Sequence, residues 1–230
     1  MAFTLDQIVP WGRSLSEYRR MFSLTEADLA GSLIGVGDGP ASANAELAAQ
    51  GRRMVSVDPI YSFSAAEIQR RIDDTYARIV DQLWPIRDSY VWEEFADPDA
   101  LGRHRMAMMG RFLADYEQGR QEGRYVVGAL PTLDFADGQF DLALCSHFLF
   151  LYSEQLSYEF HLAAVQELCR IAREVRIFPL LNLAVQPSPH LAPLRAALAE
   201  QGYHSDVVQV NYEFQRGGNQ MLTVVSRSTR

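Results

Sequence analysis

A short apolar run that breaks into alternate glycines, Ser32-Leu33-Ile34-Gly35-Val36-Gly37-Asp38-Gly39-Pro40-Ala41-Ser42, constrains this chain more than any other feature. Behind it, Ala43 to Gln50 reads as a helix, and Met54-Val55-Ser56-Val57 reads as a second strand ending on Asp58. A strand, a glycine turn, a helix and an acid-terminated strand describe a nucleoside-binding βαβ unit. The glycines let the backbone approach a ligand closely, and the helix start offers N–H groups without intrahelical partners. Asp58 is then placed to accept hydrogen bonds from ribose hydroxyls. The competing readings make it a turn residue before Pro59 or a helix cap.

The rest of the chain extends the pattern. Ser14 with Glu17 resembles a capping box at the head of a helical segment over 14–29, and Thr25-Glu26 marks a second helix start. Tyr18 or Arg19 in this segment is within reach of a ligand at the glycine turn. Ile68, Ile72, Tyr76, Ile79 and Leu83 recur at helical spacing until Trp84-Pro85 breaks the run. Asp97 before Pro98 marks another helix start, and Leu101, Met108, Phe112, Leu113 and Tyr116 carry that helix to about Gly119. Residues 62–123 therefore form a helical insertion where one short helix would serve. It is expected to be a lid over the ligand end of the sheet or a homodimer contact.

Strands follow at 124–127, 141–145 and 174–179, separated by a turn-rich bridge at 133–140 and a helix from about Ser157 to Ala172. Alternating strands and helices with continuous apolar strands indicate a parallel sheet covered on both faces. Pro193 to Gln201 reads as a last helix. Val207 to Phe214 and Met221 to Val225 read as strands joined into an antiparallel hairpin through Arg216-Gly217-Gly218-Asn219. No composition shift marks a second domain, so 1–230 is expected to be one α/β domain.

Composition narrows the function classes. A net charge of −8 argues against a general nucleic-acid binder, whose affinity rests on phosphate neutralisation. The basic pairs Arg52-Arg53, Arg70-Arg71 and Arg103 with Arg105 read as solvated faces. Cys145 and Cys169 lie in apolar segments without metal-ligand spacing, so no metal site is expected. The start Met1 to Asp6 lacks the basic and apolar stretches of a signal peptide, and no apolar run approaches the ~20 residues of a membrane span. A cytoplasmic protein without membrane association is the expectation.

In this order the elements resemble the class I S-adenosylmethionine-dependent methyltransferases, over residues 30–225 apart from the helical insertion. The resemblance implies a Rossmann-like, mostly parallel seven-stranded sheet with an antiparallel C-terminal hairpin. Leu33 to Ser42 resembles that family's glycine-rich first loop, which wraps the methionine part of the cofactor, so Gly35, Gly37, Asp38 and Gly39 are implied cofactor contacts. Asp58, with Pro59 beside it, matches the ribose-binding acid. Gly128-Ala129-Leu130-Pro131, with Phe135 and Phe140-Asp141, resembles the stretch beside the adenine, which places Ala129 and Leu130 at the cofactor. Ser146 and His147 stand where the fourth strand opens onto the methyl group. The chain departs from the family at three places. Gly35 stands where an acid is usual, Ala41 where a third loop glycine is usual, and Gly128-Ala129 where an adenine-binding Asp is common. Asp38 is the residue able to replace the first of these in contacting the amino end of the cofactor.

The implied function is S-adenosylmethionine-dependent methyl transfer to a small-molecule acceptor, with S-adenosylhomocysteine as product. His147 is the first choice for a base that accepts the acceptor's proton, with Tyr61 and Tyr152 as alternative base or wall residues. His161 reads as structural, and His104 and His190 as solvent-facing. Two rivals stand. One is a non-catalytic sensor or partner-binding protein that keeps the nucleoside site. The other is a nicotinamide-dependent oxidoreductase, which fits less well because Pro40 occupies the place of the third dinucleotide glycine.

Overall fold

In the computed structural model, which describes residues 9–226, seven strands form one mixed sheet in the order β3-β2-β1-β4-β5-β7-β6. The expectations for Met1 to Asp6 lie outside the described residues. Strands β1 (Leu33–Val36), β2 (Met54–Val57), β3 (Tyr125–Val126), β4 (Phe140–Ser146) and β5 (Ala172–Phe178) run parallel. The last two, β6 (Tyr203–Gln209) and β7 (Gln220–Ser226), pair antiparallel to each other, and β7 lies antiparallel against β5. This is the Rossmann-like sheet with a C-terminal antiparallel hairpin that the resemblance implies.

β1 and residues 142–146 of β4, at the centre of the parallel part, are buried on both sides, which explains their largely apolar runs. Along β1 and β4, Ile34, Ala143 and Cys145 face a core shared with α6 (Tyr158–Ile171) and α7 (Leu191–Glu200). Leu33, Leu142 and Leu144 face the opposite core, shared with α1 (Leu15–Met21), α2 (Glu26–Ala30) and α3 (Ala43–Ala49). Both N-terminal helices begin with capping boxes, Ser14 with Glu17 and Thr25 with Asp28. Each side-chain cap of this kind contributes about 1 kcal/mol. Buried Asn44 pins α3 to the sheet: its Nδ2 donates to the Met54 carbonyl at 3.0 Å and to the Arg124 carbonyl at 3.1 Å.

The insertion consists of α4 (Ala65–Leu83), a 3-10 segment at Trp84–Ser89, and α5 (Pro98–Gln121). α4 carries a third capping box, Ser64 with Glu67, and α5 starts at Pro98 with Asp97 capping the Ala100 N–H at 2.7 Å. α5 runs through Gly119, which the sequence suggested as its end. Glycine is needed there for packing, because a Cβ would overlap the Tyr125 ring.

The hairpin's first strand differs from the expected 207–214. β6 starts at Tyr203 and leaves the sheet after Gln209. Residues beyond it turn toward the insertion: Val91 N–H donates to the Phe214 carbonyl at 2.8 Å, and the Phe214 ring lies 4.8 Å from that of Tyr90. The apolar residues Val210, Tyr212 and Phe214 therefore serve a contact with another part of the chain, which local alternation reads as more strand.

The strand order reverses between β1 and β4, since β1 has β2 on one side and β4 on the other. Such a switch point opens a crevice at the carboxyl ends of the two strands. Gly37 leaves β1, and Ser146-His147 leave β4, on that edge. Among the described residues, no helix is long and apolar enough to cross a membrane.

Candidate functional site

A cleft of about 680 Å³ occupies this crevice. The glycine loop forms its floor. Gly37 and Gly39 have φ of 73° and 54°, a region that side-chain-bearing residues rarely adopt. A Cβ on Gly37 would also press on the Phe148 ring at 3.2 Å. The loop is tied down from several directions. Gly37 N–H donates to the Val57 carbonyl at 2.9 Å, and Ser42 N–H donates to the Arg13 carbonyl at 3.0 Å.

Asp58 holds the loop as well as bordering the cleft. One carboxylate oxygen accepts from Gly39 N–H and the other from Ile60 N–H, both at 2.9 Å. The turn-capping reading and the ligand-facing position thus coexist in one side chain. Burial raises its pKa, and the two backbone donors pull it partly back.

Asp38 lies under the loop with 8% exposure and still borders the cleft. Tyr18 donates to Oδ1 at 2.7 Å and Ser56 donates to Oδ2 at 2.6 Å. Burial pushes its carboxyl up to about 6, against the pull of those two hydrogen bonds and with the help of the Asp58 charge. Tyr18 is therefore one of the residues that the sequence correctly brought near the glycine turn.

Pro59, Gly128, Ala129 and Leu130 line the next stretch of wall, and Ser146 and His147 complete it. Gly128 has to be glycine, because a Cβ would overlap a Val57 methyl. His147 takes φ of 51°, its N–H donates to the Phe178 carbonyl at 2.6 Å, and its Nδ1 lies 2.9 Å from Ser146 Oγ. Burial, with the charges of Arg13 and Arg105, drives its pKa well below the usual value. The ring is neutral at physiological pH. It can hydrogen-bond an acceptor, but a proton held on it is disfavoured.

Three sequence expectations need correction. Tyr61 is completely buried and does not border the cleft. Its hydroxyl donates to the Gly39 carbonyl at 2.7 Å, and its ring packs among Phe112, Tyr116 and Tyr125, so it supports the loop from behind. Gly35 lies inside β1, away from the cleft lining, where its lack of a side chain leaves room for Asp38 and Met54. Arg105 is not on a solvated face: it is 1% exposed and pairs with equally buried Glu17 at 2.6 Å. Tyr152 does line the cleft, with its hydroxyl accepting from Val9 N–H at 3.4 Å and its pKa raised by burial. His161 is structural, its two ring nitrogens lying 2.8 and 3.0 Å from the Ser157 and Leu149 carbonyls. His190 is half-buried, with Nε2 3.0 Å from the Ser153 carbonyl.

Several lining residues carried no local signal in the sequence. Arg13 and Trp11 arrive from the segment before α1, which packs so closely on the loop that a Cβ on Gly12 would overlap the Pro40 carbonyl. α4 contributes Arg71, Asp74, Thr75 and Arg78, and Phe214 comes from beyond β6. The i, i+3, i+4, i+7 spacing of that α4 face was visible, but the apolar stripe beside it gave no direction toward the glycine turn. Among the described residues, no cluster of three or more His, Cys, Asp or Glu side chains is arranged to hold a metal ion.

No family model matches the sequence. The chain is 34% identical over 221 residues to the uncharacterized protein MJ0045 of Methanocaldococcus jannaschii, spanning 96% of this chain and 97% of that one. Among solved structures, it is similar to magnesium protoporphyrin IX methyltransferase from Synechocystis with bound S-adenosylmethionine. The identity is 15% over 87% of this chain and 73% of that one, with a TM-score of 0.45. It is also similar to a putative S-adenosylmethionine-dependent methyltransferase from Methanococcus maripaludis, at 13% identity over 94% and 84% of the two chains and a TM-score of 0.47.

Proposed function

The chain belongs to one family with the Methanocaldococcus jannaschii protein, and we propose that it is an S-adenosylmethionine-dependent methyltransferase acting on a small molecule. The observation that carries this reading is convergence. The glycine loop, Asp38, Asp58, Gly128 to Leu130 and Ser146-His147 come from four separate strand ends and border one cleft. The donor set fits the cofactor. Asp38 offers a carboxylate to an ammonium group, Asp58 offers one to ribose hydroxyls, and the bare backbone at Gly37, Gly39 and Gly128 leaves room for close approach.

When bound, the cofactor supplies a methyl group on a sulfonium sulfur, which departs as the neutral thioether of S-adenosylhomocysteine. The chain's task is to align the acceptor with that methyl and to exclude water. Ser146 and His147 border the end of β4, where they orient the acceptor by hydrogen bonding. Tyr152 and Phe148 give that side an apolar wall. The insertion acts as a cover, with α4 as its cleft-facing element. A cleft roofed in this way suits a small acceptor better than a nucleic acid.

Calorimetric titration with S-adenosylhomocysteine tests the reading. Saturable binding is expected, with at least a tenfold loss in Asp58→Ala, and no binding by the wild-type protein would refute it. Transfer of label from methyl-labelled cofactor to a small-molecule pool then separates an enzyme from a sensor.

A further inference from the structure

Arg13 borders the cleft with its charge uncompensated. Its Nη1 donates to the Trp11 carbonyl at 3.1 Å, while its Nε is buried without a hydrogen-bond partner. Among the described residues it enters no ion pair. The nearby acid, Glu17, is already engaged: Arg105 pairs with it at 2.6 Å, Tyr212 donates to it at 3.0 Å, and Ser14 donates through its N–H at 3.0 Å and its hydroxyl at 3.1 Å. Two guanidinium groups thus share one buried carboxylate, leaving a net positive charge beside the cleft. Burial and the Arg105 charge lower Arg13 to about 10, so it still carries its proton at neutral pH. A half-buried cation that no ion pair holds and whose Nε is shielded from water is costly, and a ligand anion would relieve that cost. Guanidinium is also the side-chain group best shaped to receive a carboxylate or phosphate in two hydrogen bonds.

The rest of the cleft describes the other end of such a ligand. Trp11, Leu151, Tyr152, Leu156, Phe160 and Phe214 give it an apolar chamber. Arg71 and Arg78 on the cleft face of α4 enter no ion pair among the described residues, and the Arg71 guanidinium lies 3.8 Å from the centre of the Phe63 ring. Asp74 is the acid on that face. On that face the two cations outnumber it, and the other two acids that border the cleft, Asp38 and Asp58, belong to its glycine-loop side. The Arg13 charge is also felt at His147 and Tyr152, on the acceptor side of the cleft.

We propose that the acceptor is an amphipathic anion, an apolar body carrying a carboxylate or phosphate that Arg13 receives, with Arg71 and Arg78 adding attraction from α4. This rests on the methyl-transfer reading for the word acceptor, but the anion preference can be measured without it. The rival source of the same chemistry is the carboxylate of the cofactor's own methionine end.

The test uses three probes, 4-hydroxybenzoate, phenyl phosphate and the neutral isostere 4-hydroxybenzamide, titrated into the full chain with and without saturating S-adenosylhomocysteine. At least one anion is expected to bind tenfold or more tightly than the amide. Arg13→Gln should remove that preference while leaving affinity for the amide and for S-adenosylhomocysteine within twofold. The double variant Arg71→Gln/Arg78→Gln should reduce the preference by a smaller factor. Equal binding of anions and amide, or no anion binding in the millimolar range, overturns the proposal. So does an Arg13→Gln protein that loses S-adenosylhomocysteine affinity tenfold while keeping its anion preference, because Arg13 would then serve the cofactor carboxylate. Failure of S-adenosylhomocysteine to bind the wild-type protein refutes the methyl-transfer reading alone, and the titrations without it still decide the anion preference. A thermal melt of Arg13→Gln checks folding; its midpoint should not fall, since the substitution removes a half-buried charge that no ion pair holds.

Discussion

The carboxylate of Asp38 occupies the space that a side chain on Gly35 would need: a Cβ built on Gly35 would overlap Asp38 Oδ2 and the Met54 methyl. The acid usual at position 35 in the resembling family and the acid at 38 are therefore mutually exclusive occupants of one place. Gly35→Ala should force Asp38 away from Tyr18 and Ser56. We expect a stability loss of about 1–3 kcal/mol from overpacking, read by chemical denaturation. The same variant should weaken S-adenosylhomocysteine binding, although residue 35 itself does not border the cleft.

Asp38 also sets a pH dependence. Its pKa in the folded protein, about 6, exceeds the ordinary aspartate value of 3.8, so the folded state holds the proton more firmly than the unfolded chain. The carboxyl therefore costs stability as pH rises from about 4 to about 6, while it becomes able to bind a ligand ammonium over the same interval. Affinity for S-adenosylhomocysteine should rise from pH 5 to pH 7 with a midpoint near 6. Asp38→Asn should bind at least about tenfold more weakly at pH 7.5, as expected when a charge-assisted bond is lost, and should lack that midpoint. Asp58, raised in the same direction, should leave only a residual slope.

Most of the fold was legible because its signals are local. The three glycines, the box at Ser14, and the Thr25-Glu26 and Asp97-Pro98 starts each act within a few residues, and each produced the element it implied. What was not legible depends on distant parts of the chain. Tyr61 stands two residues past Pro59, close enough in sequence to look like a cleft wall, but the aromatic cluster with α5 draws its ring into the core. Arg13 has no motif around it and is held at the site by long-range contacts, its carbonyl accepting from Ser42 N–H and Gly12 packing on Pro40. Arg105 sits in a basic run that reads as surface until Glu17, 88 residues earlier, is brought against it.

That Glu17–Arg105 pair supports a prediction about stability. Burial alone would raise the Glu17 pKa, but the Arg105 charge and the hydrogen bond that Arg105 donates, with His104 Nε2 3.6 Å away, outweigh it and hold it well below 4.5. The pair's contribution is fully present above about pH 4.5 and is lost as pH falls through the lowered value in the folded protein. Glu17→Gln leaves Arg105 buried without its counter-charge, and should cost about 3–5 kcal/mol. Glu17→Gln/Arg105→Met should recover at least about 2 kcal/mol of that loss in a double-mutant cycle. A cycle that closes without coupling would show that the pair adds nothing.

His147 gives the last prediction, and it separates a positioning role from that of a base. A base must hold the acceptor's proton, at least transiently, and removing one typically lowers rates by about 10²–10⁴. Burial, with Arg13 and Arg105 close enough to oppose a third positive charge, disfavours imidazolium at this position. The His147 C2 proton should therefore show no titration in NMR between pH 6 and pH 8. Once an acceptor is in hand, His147→Gln should lower turnover by less than about tenfold, with most of the loss in KM, and the acid limb of the pH–rate profile should stay with Asp38 near 6. A His147→Gln protein that loses turnover a hundredfold and drops an inflection from its profile would make His147 the base after all. Substitution by Ala is a poorer probe, because a backbone at φ of 51° followed by a lost Ser146 contact confounds chemistry with folding.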